Sequence, residues 1–140
     1  MLPEGFVQFL VRAKRNTYAA GSIPADSSRP ASHDLHWVEE PWLYIDTYLG
    51  GYGFIGEEAV WHNGTPVWGM NYYGKMLVAD FPEGFSDFLK QALLRVPLEN
   101  PYRGPEEYAE GKFQYRCEYT GDLAWFKGEE VIYMDGKPVY

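Results

Sequence analysis

The chain has 140 residues, 46% hydrophobic and 18% aromatic, with 12 basic against 20 acidic residues and a formal net charge of -8. This is one domain's worth of sequence, too apolar to be disordered and able to bury roughly two-thirds of its unfolded surface. With no Lys/Arg cluster to neutralise phosphates, no signal-peptide pattern and no apolar run near the roughly 18 residues of a membrane span, the reading is a cytoplasmic protein with no direct nucleic-acid and no membrane partner.

The first element is a helix. Phe6, Phe9, Leu10 and Ala13 form an apolar stripe at helical spacing, with Arg12, Lys14 and Arg15 in its last turns, where cations complement the macrodipole. Gly21 and Pro24 close it. A Pro/Ser-rich loop follows, SSRPASHDL from Ser27 to Leu35. His33 and His36 stand at H-x-x-H spacing beside Asp34, but a metal site would need a third ligand. A Ser- or Asx-capped turn is the plainer reading, and no metal site is assigned. Arg29 in the same loop can grip a carboxylate or phosphate.

Trp42 to Leu49 alternates with period two, as a strand does. Gly56 to Trp68 reads as a hairpin around Asn63-Gly64, a type I′ signal because both central residues need positive φ. Met76 to Phe81 suggests a further short strand. The second helix carries Phe85, Phe88, Leu89, Ala92, Leu93 and Val96 and stops at Pro97. The loop NPYRGPEEY (Asn100 to Tyr108), a strand from Phe113 to Tyr119 and a hairpin around Asp135-Gly136 complete the chain. Cys117 is the single cysteine, which excludes an internal disulfide and reads as a small buried side chain.

The order repeats. GEEAVWHNGTPVW from Gly56 and GEEVIYMDGKPVY from Gly128 share six of thirteen positions, and Pro3-Glu-Gly-Phe6 recurs as Pro82-Glu-Gly-Phe85. The expected fold class is α+β: a tandem duplication of a helix–three-strand unit in one domain, residues 1–81 and 82–140. Two helices would cover one face of a mainly antiparallel sheet. The second copy stops at Tyr140, midway through the strand that matches the first copy's, so the natural chain is expected to run further.

Cross-strand partners share a face. A regular two-residue hairpin puts Glu57, Ala59, Trp61, Pro66, Trp68 and Met70 on one side, with Glu58, Val60, His62, Thr65 and Val67 on the other. The preceding strand splits into Trp42, Tyr44, Asp46 and Tyr48 against Leu43, Ile45, Thr47 and Leu49. Part of the sheet is therefore aliphatic on one side and aromatic on the other. If the helices take the aliphatic side, the aromatic side is a cleft between the halves for a small aromatic or cationic molecule. Its walls would be Tyr44, Tyr48, Trp61, Trp68, Tyr115, Tyr119 and Tyr133, with Asp46 and Glu57 as polar anchors. Against this, Gln114, Arg116 and Glu118 oppose the aromatics of the second copy, which points to the rings being core.

Non-catalytic binding of such a molecule is the leading functional reading, with no cofactor and no catalytic residue assigned. A second is an interaction module whose aromatic face is buried in a homodimer. A third is a small enzyme using Arg29, His33 and Asp34. Glu57-Glu58 and Glu129-Glu130 are not acid pairs, because neighbours on a strand point to opposite faces.

Three stretches carry a family resemblance: Tyr18-Ala-Ala-Gly21, Ser28-Arg-Pro-Ala-Ser-His-Asp-Leu35 and Trp42-Leu-Tyr-Ile-Asp-Thr-Tyr-Leu-Gly-Gly51. They resemble a bacterial family known only as a domain of unknown function, found alone or behind an XRE-type helix-turn-helix DNA-binding domain. The resemblance implies a stand-alone member with a sensor or oligomerisation role and supplies no catalytic residues. In general plan only, the duplication is also similar to the effector-binding domains of multidrug-sensing regulators, which take organic cations in an aromatic, acid-bearing cleft.

Overall fold

The computed structural model describes residues 1–18 and 24–140; the Gly21 stop signal lies outside the described residues. The chain is α+β and divides into two compact units, Met1–Lys75 and Met76–Tyr140.

In the first unit, helix α1 (Phe6–Tyr18) is followed by an antiparallel meander: β1 (Pro24–Ala25), β2 (His33–Glu39), β3 (Trp42–Gly50), β4 (Gly53–His62) and β5 (Thr65–Lys75), in that order across the sheet. Gly5, at φ 80°, turns the chain into α1, where the Phe9 amide donates to the Gly5 carbonyl. The stripe read from the sequence is the buried side of α1, joined by Val11, Lys14 and Thr17. Phe9 stacks on Trp42 at 5.2 Å, and Phe6 meets Trp42 and Trp68 at 6.1 and 5.9 Å.

In the second unit, helix α2 (Phe85–Leu93) precedes β6 (Glu107–Glu110), β7 (Phe113–Asp122), β8 (Trp125–Met134) and β9 (Lys137–Pro138), again an antiparallel meander. Phe88 stacks on Phe113 at 5.1 Å and on Tyr108 at 5.4 Å. Val96 is buried but lies just beyond the helix, which ends before Pro97.

Three expectations change. The strands form two sheets, each with its own helix, in place of one sheet bearing both. Strands β2 and β6 occupy stretches read as loop, and no strand forms over Met76–Phe81, although the Leu77 amide donates to the Val139 carbonyl.

The third change is in the hairpins. Both tips have the expected positive φ, at Asn63 and Gly64 and at Asp135 and Gly136. Trp61 faces Pro66 and Tyr133 faces Pro138, as a two-residue turn requires. One step further, a bulge intervenes: Val60 pairs with Trp68 rather than Val67. The second hairpin repeats it, since the amides of Val139 and Tyr140 both donate to the Ile132 carbonyl. An extra residue flips every side chain beyond it to the other face. Trp68 therefore leaves the side of Trp61 and joins the helix side.

Candidate functional site

Register sorts the first unit's sheet into two faces. The helix side carries Trp42, Tyr44, Asp46 and Tyr48, cross-strand from His62, Val60, Glu58 and Gly56. Tyr44 has no exposed surface and Asp46 is 4% exposed. The Tyr72 hydroxyl donates to Asp46 Oδ1 at 2.6 Å and the Tyr18 hydroxyl to Glu58 Oε1 at 3.2 Å. Lys14 closes an ion pair on Glu58. Among the described residues the Tyr44 hydroxyl has no hydrogen-bond partner. Burial and the Glu58 charge push its phenol well above the ordinary value. This aromatic strand face is thus packed beneath α1, the core alternative of the sequence reading.

The second unit is built alike. Tyr115 is fully buried and Cys117 is 6% exposed. Register puts Tyr119 on the same side, where its hydroxyl donates to Glu106 at 2.9 Å; Tyr133 takes the opposite face. Glu130 receives Arg103, and the hydroxyls of Tyr115 and Tyr140 at 2.6 and 2.9 Å. Having no exposed surface, Tyr44 and Tyr115 line no open cleft.

The other face of the first sheet is where solvent reaches functional groups. Asp34, Thr47 and Glu57 form one cross-strand row, and His36, Ile45 and Ala59 form the next. Trp61 continues along β4. The segment from Asp26 to Arg29 borders these rows and encloses a groove of about 290 Å³.

That segment is held by its own hydrogen bonds. The Ser28 amide donates to Asp34 Oδ2 at 3.1 Å and the Ser32 hydroxyl to Asp34 Oδ1 at 2.8 Å. The Arg29 amide donates to the Ser32 hydroxyl oxygen at 3.1 Å, and the Ser32 amide returns to the Arg29 carbonyl at 3.0 Å. Burial alone would push the Asp34 carboxyl up. Its bonds from Ser28 and Ser32 outweigh that and hold it below the ordinary range. Asp34 is therefore the anchor of a turn. The Arg29 guanidinium and Glu57 carboxylate, by contrast, make no ion pair or hydrogen bond among the described residues.

Of the side chains singled out in the sequence, the groove brings together Glu57, Trp61, Arg29 and Asp34. Tyr44, Asp46, Tyr48 and Trp68 lie on the helix side of the same sheet, and Tyr115, Tyr119 and Tyr133 belong to the second unit. His33 stacks on Tyr48 at 4.8 Å, on the face opposite Asp34, so the two do not converge. No cluster of three metal-ligating side chains occurs among the described residues. Sequence reasoning missed His36 and Thr47 as lining residues, and missed the buried Glu58 and Glu130. The alternation in His33-Asp-Leu-His-Trp-Val-Glu39 was the available signal for the first, since it places Asp34 and His36 on one strand face.

No curated protein and no solved structure matches the chain. A family model described as domain of unknown function DUF5680 matches residues 46–140, from mid-β3 through β4, with Glu57 and Trp61, to the end of the second unit. The chain belongs to that family.

Proposed function

We propose that the first unit binds a small aromatic or cationic organic molecule in the groove on its open sheet face, without transforming it. The observation that carries this reading is the presence of Glu57 and Trp61 in one groove of about 290 Å³. An indole face attracts a cation by roughly 0.5–2 kcal/mol, and a carboxylate adds directional pairing. Ile45 and Ala59 give the groove an apolar floor suited to a ring. Some members of the family that the chain resembles stand behind a helix-turn-helix DNA-binding domain, which supports a sensor role for a stand-alone member, with occupancy of the groove as the signal.

A thermal-shift screen with aromatic cations, anions and neutral rings tests it, using wild type, Glu57→Gln and Asp46→Asn. A ligand at a hundred times its Kd adds roughly 2.7 kcal/mol, a shift of several degrees at this size. Cation-selective shifts that Glu57→Gln removes are expected. Asp46→Asn should lower the baseline Tm and leave the ligand shift in place, because Asp46 lies on the other face. Absence of a shift with every class overturns the reading.

A second reading, homodimerisation, is favoured by one observation on the same face. The cross-strand pair Ile55 and Tyr73 is 59% and 88% exposed. Light scattering of wild type against Tyr73→Ser separates it: a dimeric mass that the variant reduces to a monomer supports the dimer, and a monomeric wild type overturns it.

A further inference from the structure

We infer that the ligand of the groove is amphoteric, carrying an anionic group as well as a cationic one. The inference rests on the binding reading above and narrows it. It starts from how this chain disposes of its arginines. Arg12 pairs with Glu39, Arg103 with Glu130 and Arg116 with Glu107. Arg95 bonds back to Gln91 and lies over the Tyr108 ring at 4.2 Å, and Arg15 has a partner of its own. Among the described residues, only the guanidinium of Arg29 has none. In a chain with 20 acidic and 12 basic residues, carboxylates are abundant, so an unpaired arginine marks a place where none was supplied.

Its surroundings sharpen the point. Arg29 lines the same groove as Glu57, a carboxylate likewise unpaired among the described residues, and the two do not close an ion pair on each other. The turn from Ser27 to Asp34 fixes the backbone that carries Arg29. Ala31 sits at φ 62°, Pro30 fixes the chain next to Arg29, and the Ser27 hydroxyl donates to the Ser32 carbonyl at 2.6 Å. Glu57, in turn, is fixed on β4, separated from the β2 strand that anchors this turn by β3. Two strand spacings are about 10 Å. One groove thus holds two opposite charges on separate supports, with an apolar floor and an indole in the same lining. A molecule with an amine, a carboxylate and a compact ring satisfies all three at once. Arg29 grips the carboxylate, with His36 beside it, and Glu57 with Trp61 takes the amine.

The test is isothermal titration of the full chain with single-charge and amphoteric probes built on one ring. Benzylamine supplies the amine, benzoate the acid, and 4-(aminomethyl)benzoate and phenylalanine supply both at a wide and a narrow charge spacing. Wild type, Arg29→Gln and Glu57→Gln are compared. At least one amphoteric probe should bind on the order of tenfold tighter than benzylamine, since a charge-assisted hydrogen bond distinguishes them. Arg29→Gln should bring that probe down to the level at which the same variant binds benzylamine, and should not weaken benzylamine, since it removes a like charge from the groove. Glu57→Gln should weaken both. If benzylamine binds as tightly as both amphoteric probes and Arg29→Gln changes nothing, the amphoteric inference fails while the cation groove survives. If none of the four probes binds, both fail.

Discussion

Lys14 and Glu58, 44 residues apart in the chain, form an ion pair in which neither side chain has any exposed surface. Glu58 has a counterpart: Glu130 stands 72 residues later, at the same step of the second hairpin. Each carboxylate lies on the sheet face that carries its unit's fully buried tyrosine, and each accepts a tyrosine hydroxyl as well as a cation. The cations come from different elements, Lys14 from α1 and Arg103 from the segment ahead of β6. A buried carboxylate is tolerable only with a cation and further donors, so each unit meets the same demand with the residue its own geometry offers.

Removing one partner of such a pair leaves the other buried and uncompensated. Lys14→Met is expected to lower stability by about 3–5 kcal/mol, read as a drop in denaturant midpoint. Lys14→Met combined with Glu58→Leu should recover most of that loss, because an apolar pair of similar volume asks for no solvation. A double variant less stable than the single one would contradict this account of the interior.

The second unit predicts a pH dependence. The Glu130 side chain is 11% exposed. Burial alone would push its carboxyl up, but the Arg103 charge and hydrogen bonds from Arg103, Tyr115 and Tyr140 outweigh it and hold the group below the ordinary value. A depressed carboxyl contributes stability that is fully present above the unfolded value, about 4.3, and is lost as pH falls through the folded one. Glu130→Gln should therefore flatten the acid limb of stability against pH. Arg103→Gln should shrink Glu130's contribution: with the cation gone the carboxyl rises, and less stability is lost as pH falls. Denaturation midpoints across a pH series check both changes, and identical slopes in all three proteins would rule the assignment out.

Much of this fold was legible in the sequence because its signals are local. Helical spacing from Phe6 and Phe85, and Asn63-Gly64 and Asp135-Gly136 between alternating runs, depend on near neighbours only. Strand β2 was hidden because its seven residues include two histidines and two acids, polar types that read as loop until their partners are known. The bulge was hidden for a different reason. Nothing local to Val67 marks it; it arises where the ladder beyond Pro66 must bring Trp68 back beneath α1. That single extra residue decides which tryptophan packs against α1 and which lines the groove. Likewise, no composition rule places Glu58 inside and Glu57 outside. The choice follows from which strand face the helix covers, a tertiary fact.

The two tryptophans of the first hairpin should accordingly separate in experiment. Trp68 packs on Phe6 at 5.9 Å and lies under Lys14 at 5.7 Å, whereas Trp61 lines the groove. Trp68→Ala is expected to cost about 3–5 kcal/mol of stability, the range for removing a packed aromatic. Trp61→Ala should cost clearly less and should weaken binding of any aromatic cation. Paired denaturation and titration curves test this, and equal stability losses would place Trp61 in the core.

Gly56 supplies the sharpest test of the helix-side packing. It lies between Tyr48 on β3 and Tyr72 on β5, and a Cβ there would run into the far end of the Tyr72 ring. Tyr72 crosses over this glycine and donates to Asp46. Gly56→Ala must displace the ring and take that donor from a carboxylate that is 4% exposed. The expected cost is about 1–3 kcal/mol. Gly51, with nothing within 4 Å of an added Cβ, is the matched control and should change little on Gly51→Ala. Because the cost at position 56 comes from one ring, it should disappear once that ring is gone: Gly56→Ala added to Tyr72→Ala should leave the stability of the Tyr72→Ala protein nearly unchanged. Additive losses in that double-mutant cycle would mean that Gly56 is required for its backbone and not for the passage of Tyr72.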